Sequence, residues 1–318
     1  MKIGLLIAFA VSLAAVLVLM PPFIDFLKRR SFRQSVSEYA LADDQKKAGT
    51  PIMGGILFIV VPIIVTLLTE PASIRSLDTL TVLLAFFGYG LIGFVDDFLI
   101  VEKKNNDGLT PLQKFLMQLV LAVAFFFLYR SSASLEVSIP FMSEPLKIGW
   151  GYFILILLMF TGSSNAVNLT DGMDGLAAGC SVFSLIPFLV FMIRDGKTSI
   201  AVFIAALLGA LLGYLWYNKK PARIFMGDTG SLALGGVLAA LAMVSKKELL
   251  LVVIGGVFVV EAMCVMIQQV SVRTGHGKVF SYTPIHYAFR LKGIDEVKIV
   301  FGFWMAAAAC AAVGLLIG

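Results

Sequence analysis

The residues with the clearest chemical potential are acidic and amide side chains in short polar segments between apolar runs. The segment FVDDF contains Asp96 and Asp97, and the segment NAVNLTDGMDG contains Asn168, Asp171 and Asp174. Oxygen ligands of this kind suit hard cations such as Mg²⁺, whereas a zinc site needs clustered His or Cys. The sequence therefore predicts a magnesium site rather than a zinc site.

Two further polar segments combine basic, aromatic and acidic residues. In NKKPARIFMGDTGS, the lysines and arginines are typical of contacts with anionic lipid, but that reading does not explain Phe225 or Asp228. In YTPIHYAFRLKG, His286 stands near Arg290 and Lys292, where it could help to bind phosphate. A lone loop histidine is more often incidental, so both readings of His286 stay open.

The two adjacent aspartates restrict the local geometry. Neighbouring residues on a helix point about 100° apart, so Asp96 and Asp97 reach one site only at a helix end or a bend. A carboxylate pair at a helix C-terminus also opposes the helix dipole, which favours a cation or a catalytic role over a solvated terminus. For NAVNLTDGMDG the simple alternative is an ordinary polar loop, with Asp174 capping the next helix.

Helix-start signals accompany these polar segments. Thr50-Pro51 and Thr110-Pro111 each place a capping hydroxyl before proline, and Thr110 with Gln113 also fits a capping box. The N-termini of the second, fourth, sixth, eighth and tenth predicted helices then point toward one region, which favours anions. Carboxylates, a divalent cation and basic residues there suit phosphoryl transfer, and Phe225 could stack on a nucleobase.

The composition predicts a membrane protein. The 318 residues are 59% hydrophobic and 14% charged, with a mean hydropathy of +0.94. We predict an all-α polytopic fold with residues 1–318 as one domain, in which the first run is an uncleaved span. The ten predicted spans are 3–22, 52–69, 77–95, 111–129, 148–164, 175–193, 199–217, 229–244, 249–270 and 297–317.

The distribution of charge predicts the orientation. Most of the 25 Lys and Arg residues fall on one set of alternating connections, which the positive-inside rule places in the cytoplasm. Both termini are then outside, and the polar segments are on the cytoplasmic side. The longest outer connection alternates Leu135, Val137 and Ile139 with polar residues, which predicts a small β-hairpin.

Five motifs in order resemble one enzyme family. They are GTPIMGG, FVDDF, NAVNLTDGMDGLAAG, RIFMGDTGSLALGG and PIH, between about Lys46 and Lys292. Together they resemble the phospho-N-acetylmuramoyl-pentapeptide-transferases of the polyprenyl-phosphate N-acetylhexosamine-1-phosphate transferase superfamily. The resemblance implies Mg²⁺-dependent transfer from UDP-MurNAc-pentapeptide to undecaprenyl phosphate, with UMP released and lipid I formed. It also implies a multi-pass enzyme of the bacterial cell membrane with a cytoplasmic cleft, commonly a homodimer.

The resemblance also assigns roles to individual residues. Three aspartates and one histidine match catalytic positions, with Asp228 as the metal ligand: Asp96, Asp97, Asp228 and His286. Seven residues match substrate-binding positions: Lys47, Lys114, Asn168, Asp171, Asp174, Asn218 and Phe225. We expect no nucleic-acid partner.

Two positions depart from the family pattern. The lysine usually found three residues after the aspartate pair is Ile100 here, and the usual second and third histidines are Tyr287 and Ala288. The roles of the missing groups are not carried over to this chain.

Two other functions compete with this interpretation. One is a GlcNAc-1-phosphate transferase of the same superfamily, which differs in its donor. The other is a cation-coupled transporter, which an acidic residue inside a span, Glu261, would support. Polar groups concentrated at one membrane face and the lack of a visible inverted repeat argue against transport.

Overall fold

The computed structural model of the chain describes residues 2–30, 32, 49–103, 108–130, 134–142 and 144–318. Within these ranges the chain is mostly helical. The helices are α1 Lys2–Arg29, α2 Gly55–Thr69, α3 Leu77–Lys103, α4 Pro111–Arg130, α5 Gly151–Thr170, α6 Leu176–Arg194, α7 Thr198–Asn218, α8 Gly227–Val244, α9 Leu250–Ile254, α10 Gly256–Arg273, α11 Ile285–Leu291 and α12 Glu296–Ile317. A 3₁₀ turn covers Pro71–Arg75, and the predicted hairpin is present as β1 Glu136–Val137 paired antiparallel with β2 Leu146–Lys147.

The helices account for the predicted membrane architecture. Among the described residues, nine helices are long and apolar enough to cross a membrane, and the shorter apolar helix α2 accounts for the remaining predicted span. Large apolar side chains such as Leu68, Val120 and Leu158 remain exposed, as expected of surfaces that face lipid. The all-α polytopic fold with its small hairpin is confirmed.

Several predicted boundaries differ from the structure. The span predicted to end at residue 95 continues as α3 to Lys103, so the aspartate pair lies inside a helix and not at its end. The span predicted to end at 164 continues to Thr170, because Asn165 and Asn168 are helical. The ninth span is broken at Gly255 into α9 and α10.

Two predicted helix caps are wrong and one is confirmed. Helix α2 begins at Gly55, four residues after Pro51, so Thr50 does not cap it. The residue before α6 is Gly175, so Asp174 is not the N-cap residue of that helix. At α4 the capping box forms: the Thr110 N–H donates to Gln113 Oε1 (2.9 Å) and the Gln113 N–H to Thr110 Oγ1 (3.2 Å).

Helix α8 is the buried centre of the bundle, and it packs against α3 and α5. Its residues from Thr229 to Val244 are buried without a break. Gly93 of α3 lies directly against the Asp228 carbonyl of α8, and a Cβ at residue 93 would overlap that backbone. Small residues let membrane helices approach this closely, and here the approach joins FVDDF to GDTGS.

The start of α1 and the end of the chain lie at the same end of the bundle. Helix α1 runs parallel to α7, because Gly209 and Gly213 contact the backbone of Phe9 and Leu13 in step. Since α7 ends at the polar site, α1 begins at the opposite end. The C-terminal residue Gly318 also lies there, where its oxygen accepts a hydrogen bond from Lys247 Nζ (3.0 Å).

The hairpin lies at this opposite end of the bundle. Lys246 Nζ donates to the carbonyls of Ser134 (2.5 Å) and Glu136 (3.3 Å), which fastens the hairpin to the turn after α8. Nearby, the Tyr152 hydroxyl donates to the buried Glu248 carboxylate (2.5 Å). The hairpin and the polar motifs therefore occupy opposite ends of the molecule, as the sequence predicted.

Candidate active site

Three carboxylates from two helices meet at the end of the bundle away from the hairpin. Asp96 and Asp97 come from α3 and Asp228 from the first turn of α8. One oxygen of each lies within 4.8 Å of the others. Like charges at this separation repel one another unless a cation compensates them, so the cluster could hold a metal ion.

Asp97 caps helix α8 from a neighbouring helix. Its carboxylate accepts hydrogen bonds from the N–H groups of Asp228 (3.1 Å) and Thr229 (3.0 Å) and from the Thr229 hydroxyl (2.6 Å). The first N–H groups of a helix lack partners within it, and a carboxylate also suits the positive end of the dipole. Asp97 therefore fixes the start of α8 and with it the backbone of Asp228.

Asp96 points to the other side of α3, toward the start of α4. Its two oxygens accept from the Leu109 N–H (2.7 Å) and from Lys114 Nζ (3.0 Å). The adjacent aspartates thus turn apart, as helix geometry requires, and each meets a different neighbouring element. They share a site because α4 and α8 both begin beside α3.

Lys114 and Asn168 complete the carboxylate cluster. The Lys114 ammonium also bonds to Asp228 Oδ2, so it lies between two of the three carboxylates. Asn168 Nδ2 donates to Asp228 Oδ1 (2.8 Å) and to Ser231 Oγ (2.9 Å), which orients the Asp228 side chain. Asp228 keeps 23% of its side chain exposed and is the most open of the three carboxylates.

The turn after Asn168 carries the next group of predicted site residues. Asp174 Oδ2 accepts from the Ala222 N–H (3.0 Å), and the Asp174 N–H donates to Glu296 of α12 (3.1 Å). Asn218 accepts from the Gly175 N–H (3.0 Å) and donates to the Ile224 carbonyl (2.9 Å). Asn218 is buried, and these bonds join the turn to the loop before α8.

Phe225 lies in the loop before α8, and Asp171 lies at the end of α5. Phe225 is partly exposed, and its backbone pairs with the Pro51 carbonyl and the Gly54 N–H (2.8 Å each). This pairing brings GTPIMGG beside GDTGS. Asp171 is also partly exposed, at the end of α5.

His286 lies beneath this turn and is fully buried. Its Nδ1 bonds to Glu261 Oε1 (3.0 Å), and Glu261 is fully buried as well. The acidic residue inside a span is thus paired with a histidine near the site.

The structure brings most of the predicted site residues that it describes around one segment, residues 168–175, which is the end of α5 and the turn to α6. The carboxylate cluster lies at its beginning, the Asn218 contact at its end and His286 beneath it. Lys47, predicted to bind substrate, lies outside the described residues.

Comparison with known proteins identifies the family. A family model described as glycosyl transferase family 4 matches residues 79–246. The chain is 46% identical to the phospho-N-acetylmuramoyl-pentapeptide-transferase of Geobacillus thermodenitrificans, over 98% of this chain and 97% of the relative. It is 46% identical to the same enzyme of Geobacillus kaustophilus and 44% identical to that of Bacillus anthracis, over 99% of this chain and 98% of each relative. The chain belongs to this transferase family.

Within this family member, the sequence reasoning missed several residues that shape the site. Thr229 completes the contact with Asp97, and Gln118 Oε1 accepts from Asn165 Nδ2 (2.8 Å) behind the cluster. Glu296 supports the turn at Asp174 and pairs with Lys220 (3.0 Å). The one sequence signal for Glu296 is its position as an acidic residue in the first turn of the last helix. Its partner Asp174 is over a hundred residues away in the chain, so the contact itself could not be predicted.

Proposed function

We propose that this chain transfers phospho-N-acetylmuramoyl-pentapeptide from UDP-MurNAc-pentapeptide to undecaprenyl phosphate, releasing UMP and forming lipid I of peptidoglycan synthesis. The observation that carries the proposal is the match to transferases of that name over 98 to 99% of the chain. The end of the bundle that holds the carboxylates also suits the reaction. Phosphoryl transfer depends mainly on positioning and on compensation of charge, and both are available there.

We propose Mg²⁺ as the cofactor. The carboxylates of Asp96, Asp97 and Asp228 fit such an ion, because their oxygens converge within 4.8 Å and oxygen is the ligand that Mg²⁺ prefers. Asp228 is the proposed direct ligand, since it is the most open of the three, whereas Asp97 is committed to capping α8. When bound, the ion would offset negative charge on the donor diphosphate and the leaving UMP.

The remaining groups of the cluster act on the lipid substrate. A phosphate oxygen of undecaprenyl phosphate bonds to the phosphorus that carries the sugar, and the bond from that phosphorus to UMP breaks. Asp96 accepts the proton of the lipid phosphate or positions that phosphate for attack. Lys114, which lies between Asp96 and Asp228, is placed to offset the charge of the phosphates.

The donor would bind along residues 168–175, the end of α5 and the turn that follows it. Asp171 lies in this segment and Phe225 in the loop before α8. Both are partly exposed, and Phe225 would stack on the uracil. Asp174 and Asn218 use their polar groups on neighbouring backbone, so they would shape the pocket. Lys47 remains a predicted substrate contact.

We propose a bacterial cell membrane protein whose site faces the cytoplasm, and a homodimer. Support for the orientation comes from basic residues in the connections at the site end, including Lys219, Lys220 and Arg223. The dimer is proposed from the family resemblance alone.

The test is UMP release by the purified full chain in detergent with undecaprenyl phosphate. We expect release with UDP-MurNAc-pentapeptide and Mg²⁺, and none when the metal is chelated or the lipid is omitted. Turnover with UDP-GlcNAc in place of the muramoyl donor would identify the other branch of the superfamily. Flux of a cation in proteoliposomes without UMP release would overturn the transferase proposal.

A further inference from the structure

The short helix α11 packs directly under the turn that contains Gly172. The Tyr287 hydroxyl donates a hydrogen bond to the Gly172 carbonyl (3.0 Å). The imidazole Nε2 of His286 fills the space where a side chain at residue 172 would begin, so a Cβ there would clash with the ring. Two successive residues of α11 therefore hold the turn, one by a hydrogen bond and one by contact.

The side chain of Glu261 holds the start of α11 in place. Its two carboxylate oxygens accept from the Ile285 N–H (2.8 Å), the His286 N–H (3.3 Å) and the His286 Nδ1 (3.0 Å). With Glu261 ionised, its carboxylate can only accept hydrogen bonds, so the proton of this contact would lie on His286 Nδ1. The first two N–H groups of α11, which have no partner within the helix, are satisfied by the same side chain.

The burial of His286 limits which groups its imidazole ring can contact. The residue has no exposed surface, and its Nε2 has no hydrogen-bond partner in the part of the chain that the structure describes. A ring enclosed between Glu261 and Gly172 is not open to substrate in this conformation. Its contacts are with the turn that borders the pocket.

We propose that Glu261, His286 and Tyr287 are positioning residues, which hold the Gly172 turn in the conformation that binds the donor. This rests on the proposed function, in which that turn binds the UDP-linked sugar. It gives His286 a positioning role where the sequence predicted a catalytic one. It also gives a role to Tyr287, which stands where the family pattern has a second histidine.

The sharpest variant is Tyr287→Phe, which removes one hydroxyl and leaves the ring in place. A loosened turn must be ordered when the donor binds, so we expect the donor KM to rise roughly 3- to 10-fold, the equivalent of one hydrogen bond. The kcat at saturating donor and the KM for undecaprenyl phosphate should stay at wild-type values. Tyr282→Phe is the matched control, because Tyr282 contacts the Tyr287 ring edge-on and is half exposed.

Each outcome decides between the alternatives. A fall in kcat at unchanged donor KM would assign Tyr287 to the chemical step and overturn the proposal. Wild-type values for both constants would overturn it too. If the wild-type enzyme released no UMP with the muramoyl donor, the proposed function itself would fail, and the next experiment would still test the arrangement around His286.

The second experiment observes the imidazole nitrogens of His286 directly. The chain has two histidines, so isotope-labelled histidine gives two imidazole signals in a nitrogen spectrum, and His276→Gln assigns them. We expect the His286 proton on Nδ1 in the wild type. In Glu261→Gln an amide with one acceptor oxygen faces three donors, so this preference should be lost and the donor KM should rise.

Glu248→Gln is the control for Glu261→Gln, since it neutralises another buried glutamate at the opposite end. It should change neither the His286 signal nor the donor KM. A Glu261→Gln protein with an unchanged His286 signal and unchanged KM would remove Glu261 from the arrangement.

Discussion

At the scale of single residues, the three aspartates have the same side chain but different partners. Asp97 accepts three hydrogen bonds from the start of α8, whereas Asp96 bonds to Leu109 and Lys114. Asp228 faces the open side and is held by Asn168 and Lys114. Substitutions at these positions should therefore separate effects on turnover from effects on thermal stability.

Asp228→Asn should abolish turnover and Mg²⁺ stimulation and leave the fold intact. The amide keeps the shape of the side chain and can still accept from Asn168, but it loses the charge that a cation needs. UMP release over a range of Mg²⁺ concentrations, with thermal melting as the control for folding, checks this. Near-normal transfer that still responded to Mg²⁺ would place the metal elsewhere.

Asp97→Asn should lower stability as well as activity. An amide offers one acceptor oxygen in place of two, so part of the α8 cap is lost, at a cost of about 1–2 kcal/mol. The melting temperature in detergent measures this cost. A wild-type melting temperature together with lost turnover would mean that Asp97 serves the reaction and that its capping contacts contribute little.

At the scale of elements, the site depends on how closely α3 and α8 pack. Gly93 lies one turn before Asp97 and directly against the Asp228 carbonyl. This contact brings the carboxylates of the two helices together. The end of α5 and the start of α4 then add Asn168 and Lys114 from either side.

Gly93→Ala should push α3 away from α8. We expect lower thermal stability and a large loss of turnover, because the added methyl overlaps backbone that has no freedom to move aside. Gly162→Ala in α5 is the control, since a Cβ there has no neighbour within 4 Å among the described residues. Wild-type melting and turnover in Gly93→Ala would contradict this account of the packing.

At the scale of the whole molecule, the two ends of the bundle differ in chemistry. The site end gathers helix starts and carboxylates, and the other end has the hairpin, the start of α1 and the C-terminus. The second end also contains a buried acid outside the spans, Glu248. Burial raises the pKa of Glu248 above its ordinary value of 4.5, against the lowering effects of the Tyr152 hydrogen bond and of Lys246.

This raised pKa predicts a pH dependence of stability. The folded state binds the Glu248 proton more tightly than the unfolded state, so the contribution is full below pH 4.5 and is lost as pH rises through the folded pKa. Glu248→Gln has no carboxyl group at this position and so lacks this pH dependence. The melting temperature of Glu248→Gln relative to that of the wild type should therefore rise as the pH increases from 4.5 through the folded-state pKa of Glu248. Parallel curves for the two proteins would show that Glu248 does not titrate differently on folding.

The orientation in the membrane gives a further prediction. Two variants each add one cysteine to the chain: Ser281→Cys near the site end and Ser134→Cys in the hairpin region. Both positions are exposed. In intact cells without an outer membrane, an impermeant maleimide should label the cysteine at 134 and not the one at 281. The reverse pattern would place the site outside. The parent protein, with Cys180, Cys264 and Cys310 all free, gives the background.

The sequence by itself determined the membrane class, the ten predicted spans, the hairpin and the motifs that mark the site. These follow from local properties: the length of apolar runs, alternation of residue type, and turn or capping residues beside polar segments. They are visible because each depends on neighbours within about a dozen residues. The family resemblance then attached a reaction to the motifs.

Only the tertiary structure decided which side chains come into contact and which already have hydrogen-bond partners within the protein. Asp97 caps a helix that begins 130 residues later, and Glu261 binds His286 across a helix end, so neither partner is visible in local sequence. Phe225 pairs with the GTPIMGG segment in the same way. Such contacts arise because packing of glycine-lined helices brings distant segments together, and the sequence specifies that packing only through all its contacts at once.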